Sequence, residues 1–499
     1  MISTLLLAQA TQPTAATPPH VESAAIEFFV NLSYLIAAVL FCFGLKMLSS
    51  PRTARRGNVV AAVGMLIAVV VTLLDNEIVG YTTIIVGCIV GGVIGAVWAR
   101  VVPMTSMPET VALFNGWGGI ASAIVALAEY WRFGSDKMIA MLGAPYAFRG
   151  DTALTIGLSV LIGMVTFTGS LVAFAKLRGM TIGGVRLGNP IMFPQQHLAY
   201  FGLLALTIFL VIVLTMNPAA QWAVIIIALA AAVIGVLFTL PIGGADMPVV
   251  VCLLNSFSGL AACATGFVLE NTGLIVSGSL VGASGIILTD IMCRAMDRSW
   301  GNVLAGGFGQ DVATAGATTA REGLTVRKMD AEEAAMVLEA AQSVVIVPGY
   351  GMAVAQAQHV VAELAEILRE RGINVRFGIH PVAGRMPGHM NVLLAEANVD
   401  YELLHDLELN PEMPQIDVAL IVGANDVVNP DARDNPQSQI YGMPIFEVDK
   451  CKTVMVCKRS LNPGFAGIEN PLFFKENTTM LFGDAKKFIT EIVTELKGK

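Results

Sequence analysis

Apolar residues along this chain fall into two regimes that meet near residue 300. Upstream they run in long stretches with almost no charge; downstream they come in short runs separated by charged and turn-forming residues. A helix crossing about 30 Å of hydrocarbon takes roughly 20 predominantly apolar residues. Nine stretches satisfy that length, at approximately 28–48, 58–74, 78–99, 109–131, 151–176, 199–216, 221–243, 248–270 and 273–296. Several are rich in Gly and Ala, which lets helices approach closely in lipid. Alternate loops carry Lys46, Arg52, Arg55 and Arg56, then Arg100, then Lys176, Arg178 and Arg186, then Arg294 and Arg298; the opposite loops carry only Arg132, Lys137 and Arg149. The richer set belongs in the cytoplasm. An odd number of spans then puts the N-terminus outside and residues 300–499 inside. Residues 1–27 are Thr/Pro/Ala-rich, lack a basic start and have too short an apolar run for a signal peptide, so an exterior disordered tail is expected.

Within the spans the polar residues are few. None of the six histidines falls in a span. Asn115 sits in Phe114-Asn115-Gly116-Trp117-Gly118, Asn255 beside Ser256, and Ser284 in Gly282-Ala283-Ser284-Gly285; Glu109, Asp246 and Asp290 lie near span ends. Two readings stand. Asn and Ser at this depth hydrogen-bond neighbouring helices while acids cap helix ends, or together they line a wetted path through the bundle. No TVGYG filter or arginine ladder is present. The seven cysteines show neither CxxC nor a Cys/His ligand spacing, so neither a disulfide framework nor a metal site is expected.

Composition sharpens the division. The 499 residues are 55% hydrophobic and only 14% charged, against about 25% charged in ordinary soluble domains. Residues 1–299 hold 13 Lys and Arg against 12 Asp and Glu, whereas 300–499 hold 17 against 26. A membrane half is therefore followed by an acidic, water-soluble one, which gives no electrostatic reason to expect a nucleic-acid partner.

The soluble half has an α/β rhythm. Asp330 reads as the N-cap of a helix over Glu332–Gln342. Ser343–Val347 reads as a strand running into Pro348-Gly349-Tyr350-Gly351-Met352-Ala353-Val354; an amphipathic helix continues to Arg371, Gly372 stops it, and Asn374–Ile379 forms a second strand. G-x-G-x-x-V thus stands where a dinucleotide fold has G-x-G-x-x-G/A. A glycine-rich turn of some other α/β domain is the competing reading. Further strands at Val418–Val422 and Thr453–Cys457 lead into Gly423-Ala424-Asn425-Asp426 and Lys458-Arg459-Ser460, and ligands of open parallel sheets bind beyond such carboxyl ends. The second strand ends between Arg376 and His380 without the acid that would hold NAD ribose hydroxyls. Lys458, Arg459 and Ser460 instead suit a phosphate, favouring NADP over NAD; a solvated basic pair is the alternative.

Taken together, Gly349-Tyr350-Gly351-Met352-Ala353-Val354-Ala355-Gln356, the run from Arg376 through His380-Pro381-Val382-Ala383-Gly384-Arg385-Met386-Pro387-Gly388, Gly423-Ala424-Asn425-Asp426, Lys458-Arg459-Ser460 and Gly483-Asp484-Ala485-Lys486 resemble the β subunit of proton-translocating nicotinamide nucleotide transhydrogenase. Gly243-Gly244-Ala245-Asp246-Met247-Pro248 and Val281-Gly282-Ala283-Ser284-Gly285 in the membrane half resemble it too. The resemblance implies an exterior tail over 1–27, a transmembrane proton-translocating domain over 28–297, a linker and connecting helix over 298–342, and a Rossmann-like NADP(H)-binding domain over 343–499. It implies that NADP(H) lies reversed relative to ordinary Rossmann enzymes, so that the Gly349 turn with Tyr350, Gly351 and Val354 need not hold the pyrophosphate in the usual way. His380 and Val382–Pro387 would line the cofactor, with Val427, Gly442, Met443, Asp484 and Ala485. Lys458, Arg459 and Ser460 would meet the 2′-phosphate, and the loop through Leu461 and Gly464 to Phe465 would form a lid. Asp426 matches the acid that links protonation to the nucleotide, a turn-capping Asp in Asn-Asp being the alternative, and Asn115, Asn255, Asp246 and Ser284 would mark the proton path.

A separate α subunit would carry NAD(H) and further membrane helices, as a dimer of αβ units in the bacterial inner membrane, with NADPH formation driven by proton movement. Two departures accompany the likeness. Asn115 stands where some members have a relay histidine, and an amide does not titrate near neutral pH. Phe465 stands where relatives often have Tyr. The competitor from another class is a transporter or channel gated by a regulatory NADP-binding domain, which a flux assay for solutes other than protons would separate.

Overall fold

A computed structural model describes residues 24–48, 51–75, 81–103, 106–135, 146, 150–182, 185–187, 191–243, 246–296, 300–301, 326–386, 388–438, 440–464 and 468–498. Among these residues, nine helices are long and apolar enough to span a membrane, one for each of the nine stretches expected from the sequence, although the sixth starts at Gln196 and so takes in His197, which the sequence reading left outside the spans. They are α1 (Ala24–Leu48), α2 (Pro51–Asp75), α3 (Tyr81–Val101), α4 (Met107–Arg132), α5 (Gly150–Leu177), α6 (Gln196–Met216), α7 (Gln221–Thr239), α8 (Met247–Val268) and α9 (Thr272–Ala295).

The chain divides into two compact units, residues 1–90 and 91–499. In the first, α1 and α2 pair along their length, with the Tyr34 hydroxyl 2.9 Å from Thr72 Oγ1. In the second, α4 to α9 form a bundle around Tyr130, Phe238, Ile227 and Leu254. Small residues set its spacing. A Cβ on Gly163 would sit 2.5 Å from the Gly119 carbonyl oxygen, so α4 and α5 touch backbone to backbone there.

After residue 325 the second unit continues as a seven-stranded sheet, every pair parallel. Counting the small hairpin Thr181–Ile182 and Val185–Arg186 as β1 and β2, the strands are β3 (Arg327–Lys328), β4 (Ser343–Pro348), β5 (Asn374–Gly378), β6 (Leu404–His405), β7 (Val418–Val422), β8 (Thr453–Lys458) and β9 (Thr478–Phe482), in spatial order 3-9-8-7-4-5-6. Every residue of β7 is buried, as a central strand covered on both faces requires. Helices α10 (Ala331–Ala340), α12 (Gln358–Glu370), α13 (His389–Glu396) and α14 (Ala485–Lys497) cover one face. Asp330 caps α10 as read from the sequence, in a full capping box with Glu333.

Three details differ from the sequence reading. The sheet takes in β3 and α10, which precede residue 343. The helix after Gly349 is broken into α11 (Tyr350–Val354) and α12, because Gln356 adopts φ +49 and ends the first segment. β6 and β3, each of two residues, leave no periodic signal and emerge only through pairing with longer neighbours.

Candidate functional site

The glycines of the first motif serve the fold before any ligand. Gly349 donates its N–H to the Val422 carbonyl and Gly351 to the Gly423 carbonyl, both at 2.9 Å. A Cβ on Gly349 would lie 2.3 Å from the Ala424 Cα, and Gly423 itself sits at φ +68. The turns after β4 and β7 are therefore pressed together at the carboxyl edge of the sheet. The amides that a dinucleotide fold aims at a pyrophosphate are here occupied by a neighbouring turn. Val354 is half exposed on α11, whereas Ala424 is buried.

Beside them, Lys458 ends β8. Its Nζ donates to Asn425 Oδ1 at 2.9 Å and to the Asn462 carbonyl at 2.5 Å, and lies 4.8 Å from the Phe473 ring. Burial lowers its pKa while the negative charge of Asp426 opposes the shift. Asn425 Nδ2 donates to Asp426 Oδ1 at 2.8 Å, and Asn470 Nδ2 donates to the Asn425 carbonyl at 3.0 Å. The segment after β8 folds back over this turn: a Cβ on Gly464 would sit 2.5 Å from Asn425 Nδ2 and 2.7 Å from Asp426 Oδ1. Arg459 and Leu461 are exposed and Ser460 partly so, with Ser460 Oγ accepting the Asn462 N–H at 3.4 Å. One lysine thus ties the Lys458–Gly464 segment to the Gly423–Asp426 turn. Asn462, Asn470 and Phe473 complete this arrangement and carried no signal in the sequence, since Asn before Pro reads first as a turn.

The third component is the loop after β5. His380 is buried; its Nε2–H donates to the Pro444 carbonyl at 2.7 Å while Nδ1 accepts the Val382 N–H at 3.2 Å, which sets the neutral tautomer. Desolvation pushes its pKa down to about 4, against the Pro444 hydrogen bond. Gly384 has φ +107, and a Cβ there would strike the His389 ring. Ala383 and Met386 are buried. The Arg385 amide donates to His389 Nδ1 at 3.2 Å, and its guanidinium lies 4.2 Å over the Tyr350 ring. Val382 packs against both the bundle core and the sheet core. Gly442 (φ +84) and Met443 belong to a neighbouring segment whose Phe446 N–H bonds the Val427 carbonyl. Asp484 caps α14, accepting the Lys486 and Lys487 amides, and Ala485 is buried beneath it. Pro387 and Phe465 lie outside the described residues.

In the bundle, buried Asn115 donates to the Val251 carbonyl at 3.2 Å, joining α4 to α8 four residues before Asn255, which is partly buried. Ser256 Oγ reaches the Gly282 carbonyl of α9 at 2.7 Å. Ser284 is exposed on the outside of this chain's helices and donates to its own turn at Val281. Asp246 is the N-cap residue of α8 without a side-chain cap bond. A hydroxyl cluster absent from the sequence reading joins three helices: Ser159 Oγ lies 2.7 Å from Thr265 Oγ1, and both reach the Ser122 carbonyl at 3.4 Å. Among the described residues no group of three or more His, Cys, Asp or Glu is placed to hold a metal ion.

Comparison with known proteins decides the family. A family model described as NAD(P) transhydrogenase beta subunit matches residues 30–495. Two Rhodospirillum rubrum proteins named NAD(P) transhydrogenase subunit beta are each 46% identical over 464 residues, covering 92% of this chain and 97% of theirs.

The chain belongs to the NAD(P) transhydrogenase β-subunit family.

Membership of the transhydrogenase β family accounts for a membrane bundle and a dinucleotide-type sheet in one polypeptide, and it implies NADP(H) as a ligand. The donors at the sheet edge suit that cofactor: β5 itself runs into Ile379 and His380 without an acid in its own sequence, and Lys458 at the end of β8 is followed by Arg459 and the Ser460 hydroxyl. As in other transhydrogenase β subunits, the name itself implies an α subunit as partner.

Proposed function

We propose that this chain binds NADP(H) at the carboxyl edge of its parallel sheet, that a partner α subunit presents NAD(H), and that hydride passes between the two nicotinamides while a proton crosses the bundle. The nicotinamides supply the hydride chemistry; this chain's residues bind, orient and sense the nucleotide. Lys458, Arg459 and Ser460 take the 2′-phosphate, Val382–Pro387 line the cofactor, and the segment from Lys458 through Gly464 closes over Asp426. Asp426 reports protonation to the nucleotide turn. Asn115, Asn255, Asp246 and Ser284 mark the proton route, Asn115 ordering water or a neighbouring carbonyl rather than carrying charge. The sheet domain lies in the cytoplasm of a bacterium and the N-terminus outside its inner membrane, supported by the basic loops; two αβ units form the complex.

The observation that carries this reading is the loop after β5. One short segment holds the Arg385 contact to the Tyr350 turn and, through Val382, packs against the bundle core. Hydride exchange between two nicotinamides has little driving force of its own, whereas a proton crossing the membrane supplies about 2.3 kcal/mol per 100 mV. Coupling the two pushes the ratio toward NADPH. In sealed vesicles containing this chain and its α partner, dissipating the proton gradient lowers the NADPH yield; a yield indifferent to the gradient overturns the proposal.

A further inference from the structure

The Arg385 side chain reaches from the nucleotide loop onto the ends of two membrane helices. Its Nη1 donates to the carbonyl of Leu177, the last residue of α5, at 2.5 Å. The same nitrogen lies 3.9 Å from Glu109 Oε1, in the first turn of α4. Both contacts follow helix-end physics. The last carbonyls of α5 have no partner within the helix, so a cation suits them, and a carboxylate suits the start of α4. Glu109 is 8% exposed and its Oε2 is buried with no hydrogen-bond partner. A buried oxygen in that state has room to gain a hydrogen-bond partner.

The surroundings of Glu109 leave Arg385 as its main counter-charge. Tyr350 faces it from the nucleotide turn, where burial raises the phenol's pKa, the charge of Arg385 opposes the rise and that of Glu109 adds to it. At the same ends of the packed helices stand Lys176 and Asp246. Lys176 Nζ is engaged with the carbonyls of Leu240 and Ile242, and Asp246 begins α8. Six residues beyond Glu109, Asn115 bonds α8. A carboxyl at this position therefore stands between the polar residues of α4 and the loop that lines the nucleotide.

We propose that Glu109 acts as a proton-responsive latch on Arg385: ionised, it holds the guanidinium against the ends of α4 and α5; protonated, it frees that guanidinium for the phosphates of the dinucleotide. The inference rests on NADP(H) binding at the Val382–Pro387 loop and adds to it the group in this chain whose charge state the loop feels. A proton taken at the Glu109 carboxyl cancels the charge attraction to Arg385 and leaves the guanidinium its contacts with neutral groups, the Leu177 carbonyl and the Tyr350 ring among them. The nucleotide phosphates and Glu109 are thus rivals for one cation, and binding and protonation favour each other.

The test is equilibrium NADP+ binding to the purified complex with its α partner, between about pH 6 and pH 9. Wild type should bind about five- to tenfold more weakly at the alkaline end. Glu109→Gln, which mimics the protonated acid at every pH, should be flat and match the acid limb of wild type. Glu109→Asp restores a pH-dependent carboxyl, and Glu129→Gln, at the far end of the same helix, behaves as wild type. Arg385→Lys provides a check that leaves the glutamate in place: its ammonium lacks the planar guanidinium whose Nη1 meets both Leu177 and Glu109, so it should show a smaller pH dependence. A Glu109→Gln or Arg385→Lys complex with the full wild-type pH dependence overturns the latch alone, as does a wild type whose affinity does not change with pH. A wild type that binds no NADP+ overturns the proposed function as well.

Discussion

The N–H of Gly351 reaches the carbonyl of Gly423 at 2.9 Å, and a Cβ on Gly423 would lie 2.4 Å from the Met352 nitrogen. The contact locks the turns after β4 and β7 into one ledge at the edge of the sheet. Gly423 is held at φ +68, so alanine there meets both a left-handed backbone and a clash with backbone atoms. Gly423→Ala should destabilise the chain by about 2–4 kcal/mol. Gly372→Ala, at φ +83 but with nothing within 4 Å, should cost only about 1 kcal/mol, the backbone part alone. Denaturant midpoints of the two purified variants, compared with wild type, separate strain from clash.

Gly464 tests the closing segment. A methyl group there would press on Asn425 Nδ2 and Asp426 Oδ1 at 2.5 and 2.7 Å. Gly464 is only partly buried, so the change should leave global stability nearly unaltered while holding the segment off the turn. NADP(H) dissociation from Gly464→Ala, followed by stopped-flow fluorescence, should be roughly three- to tenfold faster, since local packing changes act mainly on off-rates. Equal off-rates would show that this segment does not gate release.

Lys458 connects the same parts through Asn425 and Asn462. Its removal takes away a charge-assisted contact to a phosphate as well as this internal tie. Lys458→Ala should weaken NADPH binding by roughly tenfold to a hundredfold, the range for hydrogen bonds to charged groups. Any residual NADH affinity should be unchanged, because NADH lacks the 2′-phosphate. Calorimetric titration with both nucleotides reads the difference directly.

His380 sets an acid limit on stability. Its folded pKa is pushed down to about 4 from 6.5 by burial, so the unfolded chain binds a proton that the folded chain refuses. Stability from this group is complete above about pH 6.5, falls as pH drops toward 4, and levels off below, a loss of up to about 3 kcal/mol. Asp417, held down to about 2 by Lys452 and the Gln342 and Ser343 amides, acts only below the usual carboxylate range. Unfolding midpoints should therefore decline between pH 6.5 and 4 in wild type, and His380→Gln should decline less over that interval.

The sequence by itself determined the elements whose signal is local and periodic. Among the described residues, nine apolar stretches became nine long helices, the Asp330 cap and the Gly372 stop appeared where their chemistry requires, and β4, β5, β7 and β8 fell within a residue of their expected ends. Lipid-length helices and buried parallel strands are continuous runs of apolar residues, legible without knowing what they touch. Tertiary structure alone decided the two-residue strands β3 and β6, the break at Gln356, and which polar groups meet. Nothing local to Arg385, Glu109 or Leu177 announces a contact spanning 208 residues. Nor could spacing show that the amides of Gly349 and Gly351 bond the Val422 and Gly423 carbonyls. Such contacts depend on the order in which strands assemble into a sheet and on how close helix backbones approach, quantities set by the whole packed chain rather than by any segment of it.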